Sequence, residues 1–222
     1  MLVILSVIIG LSSSCRVSST DRSNPETKVS HSLSLSESLR PSLVYIESTV
    51  SKYNMLQPWK QDPTSICTGY GTAVGPNQIL TTAEIAANAS LIQVRVYGRN
   101  DYLPAKVKVL DYDLNLCLLE ISPEILHKPF EPVTFSELFN RDSEVNFFWL
   151  SSNSEVKSAR GFLDRAITAS CPTSYQNILS YSVSNTSRKV SSGELCMLNR
   201  QPAGVAFSWF RQRNGHDPIR DN

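Results

Sequence analysis

Short apolar segments separated by turn residues dominate most of this chain, and this pattern constrains the fold more than any other feature. From Pro41 onward some segments alternate apolar and polar residues, as in Leu91–Tyr97 (LIQVRVY). Others are continuous apolar runs, as in Leu116–Ile121 (LCLLEI), and turn signals such as the Gly-Pro-Asn at 75–77 lie between them. Because no long amphipathic helical period is present, the sequence predicts an all-β barrel or sandwich.

The composition sets the size of the domain and excludes some kinds of site. A chain of 222 residues has room for one ordinary domain and a tail, and a hydrophobic content of 41% is enough for a packed core. The net charge of +1 gives no electrostatic reason to expect a nucleic-acid partner. Five cysteines without a C-x-x-C pair, and three histidines, make a zinc site of the usual spacing unexpected. We therefore predict no metal or cofactor.

The N-terminal residues 1–15 have the pattern of an export signal. Met1–Leu11 is apolar but too short to span a bilayer, and three serines lead from it to Cys15. This arrangement resembles a bacterial lipobox, in which the cysteine is lipidated and becomes the new N-terminus. It departs from the usual pattern because Ser12 stands where leucine is normal and because no basic residue precedes the apolar run. An ordinary secretory signal with an incidental cysteine is the alternative.

A polar, serine-rich segment follows Cys15 over residues 16–40. Such a composition cannot bury enough apolar surface to fold alone, so it predicts a flexible tether. A tether directly after a lipidated cysteine would let a folded domain stand away from a lipid surface. We therefore expect an exported protein of the bacterial cell envelope, either lipid-anchored to the membrane through Cys15 or in the periplasm.

Several segments resemble, in the same order, those of one protease family. Residues 69–86 (GYGTAVGPNQILTTAEIA) are similar to a glycine-rich strand followed by L-T-N-A-H-V, and residues 114–121 (LNLCLLEI) to a motif with an aspartate before a buried strand. Residues 190–195 (VSSGEL) are similar to G-N-S-G-G-P. Over roughly residues 41–218 the chain thus resembles the protease domain of trypsin-like serine proteases of the HtrA/Deg family.

This resemblance implies a trypsin-like pair of six-stranded antiparallel β-barrels with the active site in the cleft between them. We expect the barrels to divide near residues 130–142 and residues 219–222 to form a tail. The family usually continues into a peptide-binding PDZ domain, and no such domain is expected in this sequence. An oligomer is compatible with the resemblance.

The same resemblance assigns the catalytic triad positions to Glu84, Asn115 and Ser192. A serine nucleophile needs a general base, and an acid must orient that base. Here Glu84 replaces the histidine and Asn115 replaces the aspartate. A carboxylate of ordinary pKa is a weak base toward a hydroxyl unless it is strongly desolvated. Asp113, two residues before Asn115, is displaced along the chain and is a poor substitute.

The oxyanion loop departs from the family pattern as well. Its residues are Val190, Ser191 and Gly193, and Val190 stands where the family has glycine. A β-branched residue does not easily adopt the backbone angles that glycine permits. Gly193 is kept, and Glu194 replaces the last glycine of the motif. Because two backbone N–H groups must point at the developing negative charge, we expect a damaged oxyanion hole.

These replacements predict a catalytically inactive pseudoprotease with a binding or regulatory role toward an unidentified protein or peptide. One alternative is a divergent serine endopeptidase that still uses Ser192, and another is a truncated remnant of a larger protease. Cys117 and Cys196 are expected to be core residues. A disulfide between Cys171 and Cys196 is left open, because sequence does not give their distance.

Overall fold

The computed structural model describes residues 5–8 (backbone only), 35–51, 59, 63–136, 143–174, 176–184 and 186–207. The predicted lipid-anchor residue Cys15, most of the predicted tether and the tail at 219–222 lie outside the described residues. The last part of the tether segment, residues 35–39, is helical and runs into the 3-10 turn Arg40–Ser42. Leu39 is buried there against Leu43, so the folded part of the chain begins before residue 41.

Besides the helical segment 35–42, the described elements are twelve strands and two short helices. In chain order they are β1 (Leu5–Ile8), β2 (Leu43–Val50), β3 (Ser65–Ala73), β4 (Gln78–Thr81), α1 (Ala83–Ala86), β5 (Ala89–Val96), β6 (Tyr102–Asp111), β7 (Leu116–Glu120), α2 (Pro123–Leu126), β8 (Glu144–Leu150), β9 (Val156–Ser170), β10 (Asn177–Ser184), β11 (Leu195–Leu198) and β12 (Gln201–Phe207). No helix in the described part of the chain is long and apolar enough to cross a membrane.

The first barrel closes on itself through antiparallel pairs alone. Its strand order is β2-β3-β4-β7-β6-β5, and β5 returns to pair with β2 along almost the whole of both strands. Alternate residues point inward, as in β7, where Cys117 and Leu119 are buried and Leu118 is half-buried. The apolar run at 116–121 is therefore a strand with one core face, which continues into the buried Ile121.

The second barrel has five antiparallel strands in the order β10-β9-β8-β11-β12. The N-terminal strand β1 closes it by pairing in parallel with both β10 and β12. The predicted all-β double barrel is confirmed, with this one difference that the closing strand of the second barrel is parallel. The chain passes from the first set of strands to the second between Glu120 and Glu144.

Candidate active-site cleft

Glu84, Asn115 and Ser192 come together where the two barrels meet. Glu84 lies in α1, directly after β4, and Asn115 ends the turn before β7. Ser192 lies in the loop before β11 of the second barrel. The Ser192 hydroxyl donates a hydrogen bond to Oε1 of Glu84, and the backbone N–H of Glu84 donates to Oδ1 of Asn115 at 3.1 Å. The structure therefore connects the three residues by hydrogen bonds.

Asn115 fixes the start of α1 through both its main chain and its side chain. Its carbonyl oxygen accepts the N–H of Ala83 at 3.1 Å, next to the contact between its Oδ1 and the N–H of Glu84. Asn115 itself has φ 54, a left-handed conformation that asparagine tolerates better than most residues. Since the side chain is only 1% exposed, Asn115 is a buried link between the β6–β7 turn and the base position.

Asn115 accepts the main-chain N–H of Glu84 and makes no hydrogen bond to the Glu84 carboxylate. The other end of the Asn115 amide, Nδ2, is buried without a hydrogen-bond partner in the described part of the chain. Burial raises the pKa of Glu84, and the hydrogen bond from Ser192 opposes this rise. A carboxyl at this position can accept a hydrogen bond from the Ser192 hydroxyl, but among the described residues no negatively charged side chain is bonded to it to favour its protonated form.

The other candidates for a catalytic acid or base lie elsewhere. Asp113 is exposed, and its N–H donates to the side chain of Asp111 at 3.0 Å in the β6–β7 turn. His127 is exposed and follows α2 with φ 60. Neither residue replaces the missing acid or histidine.

The serine loop is held tightly between the two barrels. The N–H of Tyr70 in β3 donates to the carbonyl oxygen of Ser192 at 3.1 Å, and the N–H of Gly193 donates to Ala206 in β12 at 2.8 Å. Gly193 has φ 89, and a Cβ on it would lie 1.8 Å from the carbonyl oxygen of Tyr70. Only glycine fits there. Val190 is buried in the second-barrel core, and it is not among the residues with positive φ.

A buried carboxylate next to Ser192 is the feature that the sequence interpretation missed. Glu194 is 0% exposed, and its Oε1 accepts the N–H of Ser191 at 2.9 Å and pairs with the guanidinium of Arg188. That guanidinium lies 3.6 Å above the ring of Trp149. Burial raises the pKa of Glu194, and the Ser191 N–H and the Arg188 charge oppose this rise. Glu194 therefore does more than replace a glycine of the motif, because its buried carboxylate also binds the main chain of the serine loop.

Little in the sequence could have revealed this cluster. The signal was a charged residue placed directly before the apolar strand β11, with an arginine six positions earlier. Such a pattern is also normal at a strand end on the surface. The contact of Glu194 with the N–H of Ser191 depends on the path of the loop, which local sequence does not determine.

The described cysteines are free thiols. Cys117, Cys171 and Cys196 are buried and Cys67 is half-buried, so the structure contains no bond between Cys171 and Cys196. Burial raises the pKa of Cys117 to about 12, as expected of an inert core thiol. Within the described ranges, no group of three or more His, Cys, Asp or Glu side chains is placed to hold a metal ion.

Curated proteins with similar sequences are Do-like proteases. The chain is 26% identical over 212 residues to Protease Do-like 4, mitochondrial, of Arabidopsis thaliana, which is 95% of this chain and 40% of that protein. It is 25% identical over 167 residues to Putative protease Do-like 3, mitochondrial, of the same plant, covering 75% of this chain and 30% of the relative. The chain therefore spans less than half the length of these relatives. No protein-family model matches it.

Solved structures with the same fold are protease domains. The active form of the Rv3671c protease from M. tuberculosis superposes with a TM-score of 0.63 at 20% identity, covering 89% of this chain and 83% of that one. Deg5 superposes with a TM-score of 0.60 at 17% identity, covering 80% of this chain and 84% of that one. The resemblance to the HtrA/Deg proteases is confirmed, and the chain is similar to a protease domain of that type.

Proposed function

We propose that this protease-like domain is a pseudoprotease, which keeps the cleft of an HtrA/Deg protease as a binding or regulatory surface and has lost its peptidase chemistry. One observation carries this conclusion. Asn115 Oδ1 binds the main-chain N–H of Glu84, while the Glu84 carboxyl accepts the hydroxyl of Ser192. Among the described residues, the cleft therefore places no histidine and no charged acid in a triad contact with Ser192 or Glu84.

The size of the expected loss supports the same conclusion. Removing the histidine or the serine of such a triad alone lowers kcat by about a millionfold in subtilisin. Here both the base and the acid are replaced.

A divergent endopeptidase is the second candidate, and one observation favours it. The Glu84 carboxyl contacts Ser192 directly, and burial raises the pKa of Glu84. A higher pKa makes a carboxylate a stronger base. Glu84 would then have to remove the Ser192 proton unaided by an orienting acid.

Hydrolysis of casein by the purified chain separates the two candidates. We expect wild type, Ser192→Ala and the exposed control variant His127→Ala to show the same background rate. Cleavage that Ser192→Ala abolishes and His127→Ala preserves would overturn the pseudoprotease proposal. Glu84→Gln would then test whether Glu84 is the base.

The location and partners of the domain are also proposals. The apolar run before Cys15 supports export with a lipid anchor, in contact with an unidentified protein or peptide, and the HtrA-type neighbours are compatible with an oligomer. Cleavage before Cys15 would remove β1, so the anchored form would keep the five antiparallel strands of the second barrel. The mitochondrial names of the relatives favour an organelle leader instead. A lipid anchor predicts that wild type partitions into detergent and Cys15→Ala into water. Identical partitioning of the two would exclude the anchor.

A further inference from the structure

Only one end of the Asn115 side-chain amide makes a hydrogen bond in the cleft. The group that accepts the N–H of Glu84 at 3.1 Å must be the carbonyl oxygen, so the opposite atom is the NH₂ donor Nδ2. That donor is buried and has no partner in the described part of the chain. Leaving a buried donor unpaired destabilises the fold, which favours a bond to any nearby acceptor.

The Glu84 carboxylate is the acceptor that this arrangement suggests, because Oδ1 of the same amide already binds the main-chain N–H of Glu84. Ser192 engages Oε1 of Glu84, and the second oxygen, Oε2, has lone pairs of its own. A bond from Nδ2 to Oε2 would require the Glu84 side chain to turn toward Asn115.

We propose that Asn115 is a positioning residue for Glu84, donating from Nδ2 to Oε2, so that Asn115, Glu84 and Ser192 form one hydrogen-bonded chain. In the acid–histidine–serine arrangement, the acid accepts a hydrogen bond from the base. Here the amide donates and the carboxylate accepts, so the roles at the two positions are exchanged. The inference rests on the proposed function in taking this cleft as the functional surface.

The exchange also preserves the charge of the cleft. A neutral imidazole beside a carboxylate carries one negative charge, and so does a carboxamide beside a carboxylate. The histidine-to-glutamate and aspartate-to-asparagine replacements therefore compensate one another. Because an amide takes up no proton, this chain holds Glu84 as an acceptor and keeps the Ser192 hydroxyl turned toward it.

An isosteric exchange of the two side chains tests the proposal. Urea unfolding at pH 8 is compared for wild type, Glu84→Gln, Asn115→Asp and the double variant. Asn115→Asp sets two carboxylates together, and we expect it to lower the folded-to-unfolded ratio about tenfold. The double variant restores one donor and one acceptor, so it should regain most of that loss.

A second asparagine of the first barrel supplies the matched control. Asn77 donates from Nδ2 to the carbonyl oxygen of Ile121 at 3.2 Å. Asn77→Asp should therefore be destabilising by itself, and combining it with Glu84→Gln should give no recovery. Additive effects of Glu84→Gln and Asn115→Asp, equal to those of the control pair, would overturn the proposal.

NMR of the Asn115 side-chain amide distinguishes a hydrogen bond from charge repulsion alone. Its NH₂ protons should exchange slowly with water and shift as Glu84 titrates, and they should lose both properties in Glu84→Ala. Signals that do not respond to Glu84→Ala would contradict the proposal even if the variants couple. Casein cleavage through Ser192 would overturn the pseudoprotease function without altering these signals, so the two failures are distinguishable.

Discussion

The two sides of the cleft have diverged from a protease in different ways. On the first-barrel side, Glu84 and Asn115 replace the base and the acid, yet Asn115 still ties the start of α1 to the β6–β7 turn. On the second-barrel side, Glu194 brings a buried carboxylate into the loop and binds the N–H of Ser191. One side has replaced two side chains and keeps the bond between Asn115 and the start of α1, whereas the other has a buried carboxylate bound inside the loop.

This difference separates two physical routes to the loss of catalysis that we propose. Restoring a histidine at position 84 would change the base side alone, since the Arg188–Glu194 pair and the contact with Ser191 lie in the other barrel. The serine loop would keep its shape. The Arg188–Glu194 pair makes no hydrogen bond to Glu84 or Asn115 in the described part of the chain, so substitutions of that pair test the serine side.

Removing Arg188 should give the largest effect on stability. Arg188→Ala leaves the Glu194 carboxylate, 0% exposed, without its cation. Breaking a fully buried pair costs about 3–5 kcal/mol, and since the Arg188 side chain is 32% exposed we expect about 2–3 kcal/mol at pH 8. Urea unfolding measures this free energy directly.

The stability that Arg188→Ala loses relative to wild type should depend on pH. Burial raises the pKa of Glu194 above its unfolded value, so its neutral form is favoured in the fold and stability falls as pH rises through the raised pKa. The loss in Arg188→Ala should accordingly shrink toward pH 5. Arg160→Ala is the control, because Arg160 pairs with Glu144 at 3.7 Å on the surface and should lose at most about 1 kcal/mol. Equal losses in both variants would contradict a structural role for the buried pair.

The fold was largely predictable from sequence because its signals are local. Alternating and continuous apolar runs placed strands such as β5 and β7, and the order of the motifs gave the double barrel. The pairing of β1 with β10 and β12 was not predictable. A four-residue apolar segment carries no information about its partner strands, and its apolar character equally suits an export signal.

The candidate site was predictable in its positions and not in its contacts. Motif order placed Glu84, Asn115 and Ser192 in one cleft. The sequence did not indicate that Asn115 would bind the main chain of Glu84, nor that Glu194 would turn inward to Ser191. Both contacts depend on backbone geometry, the left-handed Asn115 in one case and the path of the serine loop in the other.

Reaction of Ser192 with a fluorophosphonate tests most directly whether this serine is activated. The reagent modifies serines whose hydroxyl has a functioning base, and mass spectrometry identifies the labelled residue. We expect no labelling of wild type above the level of Ser192→Ala, under conditions that fully label active trypsin. Stoichiometric labelling of Ser192 in the folded chain, lost on denaturation, would contradict a pseudoprotease.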